Sequence, residues 1–386
     1  MTTTYPYLSG LSAPAPQVPV VPLAADVDRL PGEESTLDEA QRRRVEALLS
    51  AGPVISLHDH PIRLPHPLTA ESWSRHKAAA RDHLGYAGLA GSGMTGVFAS
   101  ALSGLDLPVL LRWLALLGTD LAHTDQARLA QRVGDVAAAG DAEALTVVLA
   151  LEDLSSVGED LAGVEVLYGA GVRSAGLTYN APNALGCGLA VANDTGLTAT
   201  GRAAVELMNS LGMLVDLAHV GDRTSLDAAA HSSRPVVISH AGARTVWGSA
   251  RMKPDDVLRS VAATGGVIGI EAAPNSTRVS GRVEHNLDAV MRHVEYCAEL
   301  LGIDHVALGP DTFFGDHVGM YAATGASPMP PPTGEPPATS RYVAGMENPG
   351  EAHRNAAGWL VARGWSDQDI SAVLGGNVAR VVKEVA

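Results

Sequence analysis

The tripeptide His58-Asp59-His60 closes a run of strand-forming residues, Val54-Ile55-Ser56-Leu57. Two histidines at i and i+2 on an extended backbone lie on one side of it, so a single metal ion can take both. Alone, such a pair is a weak signal, because polar residues often end a strand at a surface. Its weight comes from four further residues of matching chemistry, each directly after an apolar run: Glu152, His219, His240 and Asp311. Imidazole nitrogens and carboxylate oxygens are the donor set of Zn²⁺. A carboxylate can serve two ions through its two oxygens, which makes Glu152 the expected bridge. His58 and His60 then hold one ion and His219 and His240 the other. Two ions so held share a hydroxide that is nucleophilic at neutral pH, and Asp311 is left to manage protons. The other ten histidines fall on predicted helices and loops; of these, His317 follows Asp311 most closely.

The elements that must position these residues are short apolar runs with helical stretches between them. Strands are expected over 54–57, 95–100, 146–151, 172–177, 213–217, 235–238, 266–270 and 305–308. Continuous rather than alternating apolar runs read as strands buried on both faces, and strand-helix alternation implies a parallel sheet. Eight such units predict a (β/α)₈ TIM barrel of the metal-dependent hydrolase type, with the active site where the strands end. A doubly wound sheet would carry a Gly-rich phosphate loop after an early strand, and neither GxGxxG nor GxxxxGK[ST] occurs. One long helix is expected over 108–139, and the spacing of Thr36 and Glu39 predicts a capping box opening a helix to about Leu49. Gly212 reads as a left-handed helix stop. The expected organisation is an arm and helix over 1–50, then one barrel domain over 51–386. A Pro-rich loop at 322–340 follows the last strand on the active-site side, as a rim, lid or surface insertion.

Composition excludes several classes of function. With 46% hydrophobic and 18% charged residues, the 386-residue chain reads as globular, and no run of 18 apolar residues spans a membrane. A net charge of -15 argues against nucleic acid and anionic membrane as partners. Two cysteines, Cys187 and Cys297, are too few for a disulfide framework, and the N-terminus lacks a secretory pattern, so a cytoplasmic location is expected.

At the strand-end residues the sequence resembles the membrane (renal) dipeptidase family of zinc metallopeptidases. The resemblance runs from about residue 52 to the C-terminus. It rests on Met208-Asn-Ser-Leu-Gly-Met-Leu-Val-Asp-Leu-Ala-His219, Pro235-Val-Val-Ile-Ser-His240, Gly302-Ile-Asp-His-Val-Ala-Leu-Gly-Pro-Asp311 and Gly375-Gly-Asn-Val-Ala-Arg380. It implies a binuclear-zinc barrel that cleaves dipeptides, with His58 a ligand of the first ion, Glu152 the bridge, and His219 and His240 ligands of the second. It further implies Arg251 as the holder of the substrate carboxylate and Asp311 as the acid/base. Two positions depart from the family pattern. His60 stands where an aspartate is usual, which makes the first ion site less anionic. Tyr179 stands where a substrate-contacting histidine is usual, within Leu177-Thr-Tyr-Asn-Ala-Pro-Asn183, a segment of a bacterial subfamily. Tyr179 and Asn183 are therefore expected at the substrate. The function implied is a metal-dependent dipeptidase acting on small dipeptides; oligomeric state, including a homodimer, stays open. Two alternatives remain: hydrolysis of another carboxylate-bearing amide such as an N-acyl amino acid, and a metal-poor binding protein.

Overall fold

The computed structural model describes residues 20–27, 35–79, 81–101, 103–141, 144–324 and 329–386. Nine strands occur among them: β1 (Ile55–Asp59), β2 (Gly96–Ala101), β3 (Ala127–Leu129), β4 (Leu145–Leu151), β5 (Val172–Gly176), β6 (Leu214–Asp216), β7 (Ile238–Ala241), β8 (Ile268–Ile270) and β9 (Val306–Leu308). All ladders are parallel and form two arcs, β1-β2-β4-β5-β6 and β7-β8-β9, with β3 beside the start of β4. Backbone bonds join the arcs at both seams. Leu217 N–H donates to Val237 O (2.8 Å) at one, and Asp311 N–H to His58 O (3.1 Å) at the other. The result is a (β/α)₈ barrel whose ladder is interrupted at two places.

Alternate strand residues divide the apolar core in two. Ile55, Leu57, Phe98, Val148, Ala150, Leu214, Val237, Val267 and Ala307 cluster with Val378, Val381, Val382 and Val385 of the C-terminal helix Asn377–Val385. This is the barrel interior, stoppered at the end opposite the strand C-termini. The intervening residues, such as Val147, Leu149, Ile268 and Leu308, pack in a second cluster with the surrounding helices.

Two strands break the alternation where it matters. The register of β1 shifts between Ser56 and Asp59, and that of β7 between Ile238 and Ala241. An extra residue at such a shift re-aims the side chains beyond it. In β1 it puts Ser56 and Asp59, three apart, on one side, where Ser56 Oγ donates to Asp59 Oδ2 (2.5 Å). His58 and His60 are thereby turned to the interior.

Several sequence expectations are corrected. The stretch 108–139 is not one helix: a helix spans Leu107–Leu121, β3 follows, and a 3₁₀ helix spans Val133–Asp141. Its apolar spacing is satisfied piecewise. Leu110, Trp113, Leu114 and Leu117 pack outside the barrel, while Val133 and Val136 join the interior cluster. The capping box sits two residues later than expected, with Gln41 N–H donating to Asp38 Oδ1 (2.8 Å) and Asp38 N–H to Gln41 Oε1 (3.0 Å). Of the N-terminal arm, 1–19 and 28–34 lie outside the described residues. Residues 20–27 are docked, with Ala24 N–H donating to Leu64 O (2.8 Å) and His66 N–H to Pro22 O (2.8 Å). The Pro-rich stretch begins within the helix His317–Thr324; 325–328 lie outside the described residues. Residues 329–340 hold to the loop after β8, where Ser340 N–H donates to Asn275 Oδ1 (3.0 Å) and Arg278 Nη1 to Pro336 O (2.8 Å). Gly212 stops its helix at φ 69°, as expected.

Candidate metal centre

The strand ends bring His58, His60, Glu152, His219, His240 and Asp311 to one mouth of the barrel. His60 Nε2 lies 2.9 Å from Glu152 Oε1 and 3.3 Å from Asp311 Oδ1. His58 Nε2 has no hydrogen-bond partner and lies 3.5 Å from Asp311 Oδ1. The His58 and His240 rings stack with centroids 3.5 Å apart, and His240 Nε2 faces His219 Nε2 at 3.0 Å. Ligand atoms of His58, His60 and Glu152 fall within one ion's reach, and so do those of His58, His240 and Asp311.

Tautomers can be assigned from the partners. His219 Nδ1 lies 2.9 Å from Asn180 Oδ1, an acceptor, so Nδ1 carries the proton and Nε2 a lone pair. The Ser239 hydroxyl donates to Asp216, which can only accept, so it in turn accepts from His240 Nδ1 (2.7 Å). His240 Nε2 is therefore also a lone pair. Two imidazole lone pairs pointed at each other across 3.0 Å repel unless a cation lies between or beside them. His60 Nδ1 likewise donates to Ser100 O (2.9 Å), which aims its Nε2 at the carboxylates. Each ring is oriented through its far nitrogen, the usual support of metal-ligating histidines. The donor set, the orphaned His58 Nε2 and these facing lone pairs fit divalent metal ions.

For His219 and His240, electrostatics agree with that fit. Burial, then the nearby Arg251 charge, holds His219 well below the usual histidine range, and burial and His58 do the same for His240. Both are thus neutral donors. Burial opposes protonation of His60, but Asp311 and Glu152 outweigh it and raise its pKa to about 10. Burial would raise the Asp311 carboxyl, yet the His58 and His60 rings beside it, with His240, hold it well below the usual range. Asp311 adopts φ 57°, a left-handed conformation that aspartate tolerates better than most residues.

A cavity of about 370 Å³ opens from this mouth. Tyr179 lines it and stacks on His219 with centroids 4.1 Å apart; burial raises its phenol, which stays protonated. Arg251 lines it too, 8% exposed, with Nη2 donating to His240 O (2.9 Å) and Nη1 to Ala218 O (3.3 Å). Trp73, Leu105, Val109, Trp113, Met320 and Met329 line it as well, alongside Lys77, Arg81 and Asp82.

Three expectations need revision. Asp311 stands among the ligand atoms of the first two histidines rather than apart from them. Asn183 is not among the cavity-lining residues: its Nδ2 donates to Leu177 O (2.8 Å) and its Oδ1 accepts from Leu185 N–H (2.8 Å), so it holds the loop. Asn180, in the same motif, reaches the cavity and orients His219. Arg251, which has no acidic neighbour in sequence, is ion-paired with the wholly buried Glu271 at the end of β8. Glu271 shows the same signal as Glu152, a carboxylate directly after an apolar strand, and could have been included on that ground. His317 also lines the cavity, 3.1 Å from the Tyr321 hydroxyl, and burial lowers it to about 4.

Residues 42–322 match the model of the family described as membrane dipeptidase, peptidase family M19. A Klebsiella pneumoniae relative, an uncharacterized protein in the pqqA 5' region, is 30% identical over 220 residues, 55% of this chain and 81% of that one. An uncharacterized dipeptidase of Schizosaccharomyces pombe is 33% identical over 171 residues, 43% of this chain and 41% of that one. Among solved structures, an amidohydrolase from Pseudomonas aeruginosa superposes with a TM-score of 0.72 at 21% identity, covering 88% of this chain and 98% of its own. None of the helices in the described residues is long and apolar enough to cross a membrane.

Proposed function

This chain belongs to the membrane dipeptidase family, peptidase family M19, and is a metal-dependent dipeptidase; from that premise we propose how its residues divide the work. His58, His60 and Glu152 would hold one Zn²⁺ and His219 and His240 a second, with Glu152 shared between them. Zinc suits this nitrogen and oxygen donor set. When bound, such ions lower the pKa of a coordinated water and polarise a carbonyl. Asp311, ionised and fixed at the mouth, takes the proton from the attacking water and delivers it to the leaving amine nitrogen. The Tyr179 phenol, kept protonated by burial, donates a hydrogen bond to the carbonyl oxygen as negative charge develops there. Arg251 faces the substrate's C-terminal carboxylate with its planar guanidinium. The location we infer is cytoplasmic.

The observation that carries this reading is the pair of Nε2 lone pairs of His219 and His240 facing each other at 3.0 Å, which a bound cation reconciles. A second reading, N-acyl amino acids as substrates, is favoured by the Trp73 and Trp113 rings in the cavity wall. The test is zinc-loaded protein assayed against a dipeptide library and a matched set of N-acylated amino acids. Release of amino acids from dipeptides only after metal is added is expected; turnover confined to the acylated set would favour the second reading.

A further inference from the structure

Glu271 belongs to none of the roles above, yet it is the third carboxylate at the mouth. It is 0% exposed and lines the cavity beside Arg251, with which it is ion-paired. Among the described residues no hydrogen bond of ordinary geometry reaches either of its oxygens, and the Ser276 hydroxyl beside it donates to Ala273 O (2.7 Å). A carboxylate has room for several donors, so acceptor capacity is left over in a buried place.

The charge count is what matters. Burial raises the Glu271 carboxyl to about 7 and Arg251 opposes that rise; ionised, Glu271 already balances Arg251. A substrate carboxylate docking on Arg251 would stand a few ångströms from a second carboxylate in a poorly solvated wall, and like charges so placed repel strongly. The repulsion disappears if the substrate also brings a cation for Glu271. Arg251 and Glu271 side by side complement a group carrying both signs. The metal ions proposed above act alike on every dipeptide, and the other cations among the described lining residues do not remove the conflict. Arg81 is paired with Asp120, and Lys77 is an exposed residue on the helix Ala70–Ala79.

We propose that Glu271 is a specificity-determining residue: it pairs with Arg251 so that the site favours dipeptides whose C-terminal residue carries a positively charged side chain over those with neutral or acidic ones. The proposal rests on the dipeptidase reading and on Arg251 facing the substrate's C-terminus. Discrimination of this kind uses a repulsive element against the wrong partner as well as an attractive one for the right partner.

The test compares zinc-loaded wild type with Glu271→Gln, which keeps shape and an acceptor for Arg251 but removes the charge. Substrates are Ala-Lys, Ala-Ala and Ala-Ala amide, each with either stereochemistry at the second residue. Wild type is expected to prefer Ala-Lys. In the variant, KM for Ala-Ala should fall about tenfold or more, as for loss of a like charge a few ångströms away. KM for Ala-Lys should rise, and the amide should change little. Glu271→Met, also uncharged, should shift the preference in the same direction should the first variant fail to fold. Calorimetric titration of free lysine and free alanine onto the same proteins reads the preference without turnover. A common change on all substrates, or an unchanged lysine-to-alanine binding ratio, overturns the proposal. Failure of wild type on every dipeptide, with that binding ratio still shifted by the variant, would instead defeat the dipeptidase reading.

Discussion

At the scale of single residues, the candidate metal centre is built as much by what stands behind the histidines as by the histidines themselves. His240 points its Nε2 into the mouth because Ser239 and, behind it, Asp216 hold its other nitrogen. Asn180 does the same for His219. Removing such an outer partner typically costs about 10–100-fold in metal affinity or activity. Ser239→Ala should therefore lower metal retention by about that factor, with Asp216 still satisfied by the Ser239 and Ala218 backbone N–H groups. Zinc content after dialysis against a graded chelator checks this. Retention equal to wild type would mean that the ligands alone position the metal. Tyr179 shows the same economy, since its ring supports His219 by stacking while its phenol faces the cavity.

The strands are the elements that make these contacts possible, and they do so by leaving regular geometry. Shifts in β1 and β7 turn His58, His60 and His240 inward, while Glu152, Glu271 and Asp311 follow the ends of β4, β8 and β9, Asp311 in a left-handed conformation. Just below the ligands, the interior is too narrow for side chains on two neighbouring strands. A Cβ on Gly309 would stand 1.9 Å from Ser239 O, and one on Gly269 2.0 Å from the same oxygen. Both contacts are with backbone, which cannot swing away. Gly309→Ala should push β7 outward, destabilise the protein by several kcal/mol, about the upper end of single-residue effects, and reduce metal content together with stability. Denaturant midpoints and zinc analysis on the same preparations test the link. A stable variant that binds metal normally would show that the strand spacing is soft here.

For the molecule as a whole, the interior is closed at the far end by the C-terminal helix, and His353 and His293, away from the mouth, are buried as neutral groups. His353 is 0% exposed and burial lowers it to about 4; the buried His293 is likewise lowered to about 4. Unfolded histidine titrates near 6.5, so between about pH 6.5 and 4 the unfolded chain binds protons that the folded chain refuses. The contribution of these groups to stability is complete above that window and is lost as pH falls through it. The denaturation midpoint should drop steeply on acidification from pH 7 to 4.5, and His353→Gln should flatten that dependence. A midpoint independent of pH across the window would contradict the burial of these rings as neutral groups.

Much of this was legible in the sequence because its causes are local. Eight apolar runs, seven of them ending in chemistry-bearing residues, specify a barrel and its active end, since two-sided burial and strand-end placement follow from each run separately. The family, matched over residues 42–322, was legible in the motifs. What only the tertiary structure decided involves residues distant in sequence. The long helix over 108–139 divides because part of its apolar set has to turn beneath the barrel, which no spacing reveals. Asn180 rather than Asn183 meets the cavity because the loop spends the second amide on its own backbone. Arg251 and Glu271 lie 20 positions apart along the chain yet share one ion pair, because β7 and β8 run side by side and deliver both to the same wall. Charge balance at a buried site is a sum over strands, so it is settled only when the strands are brought together.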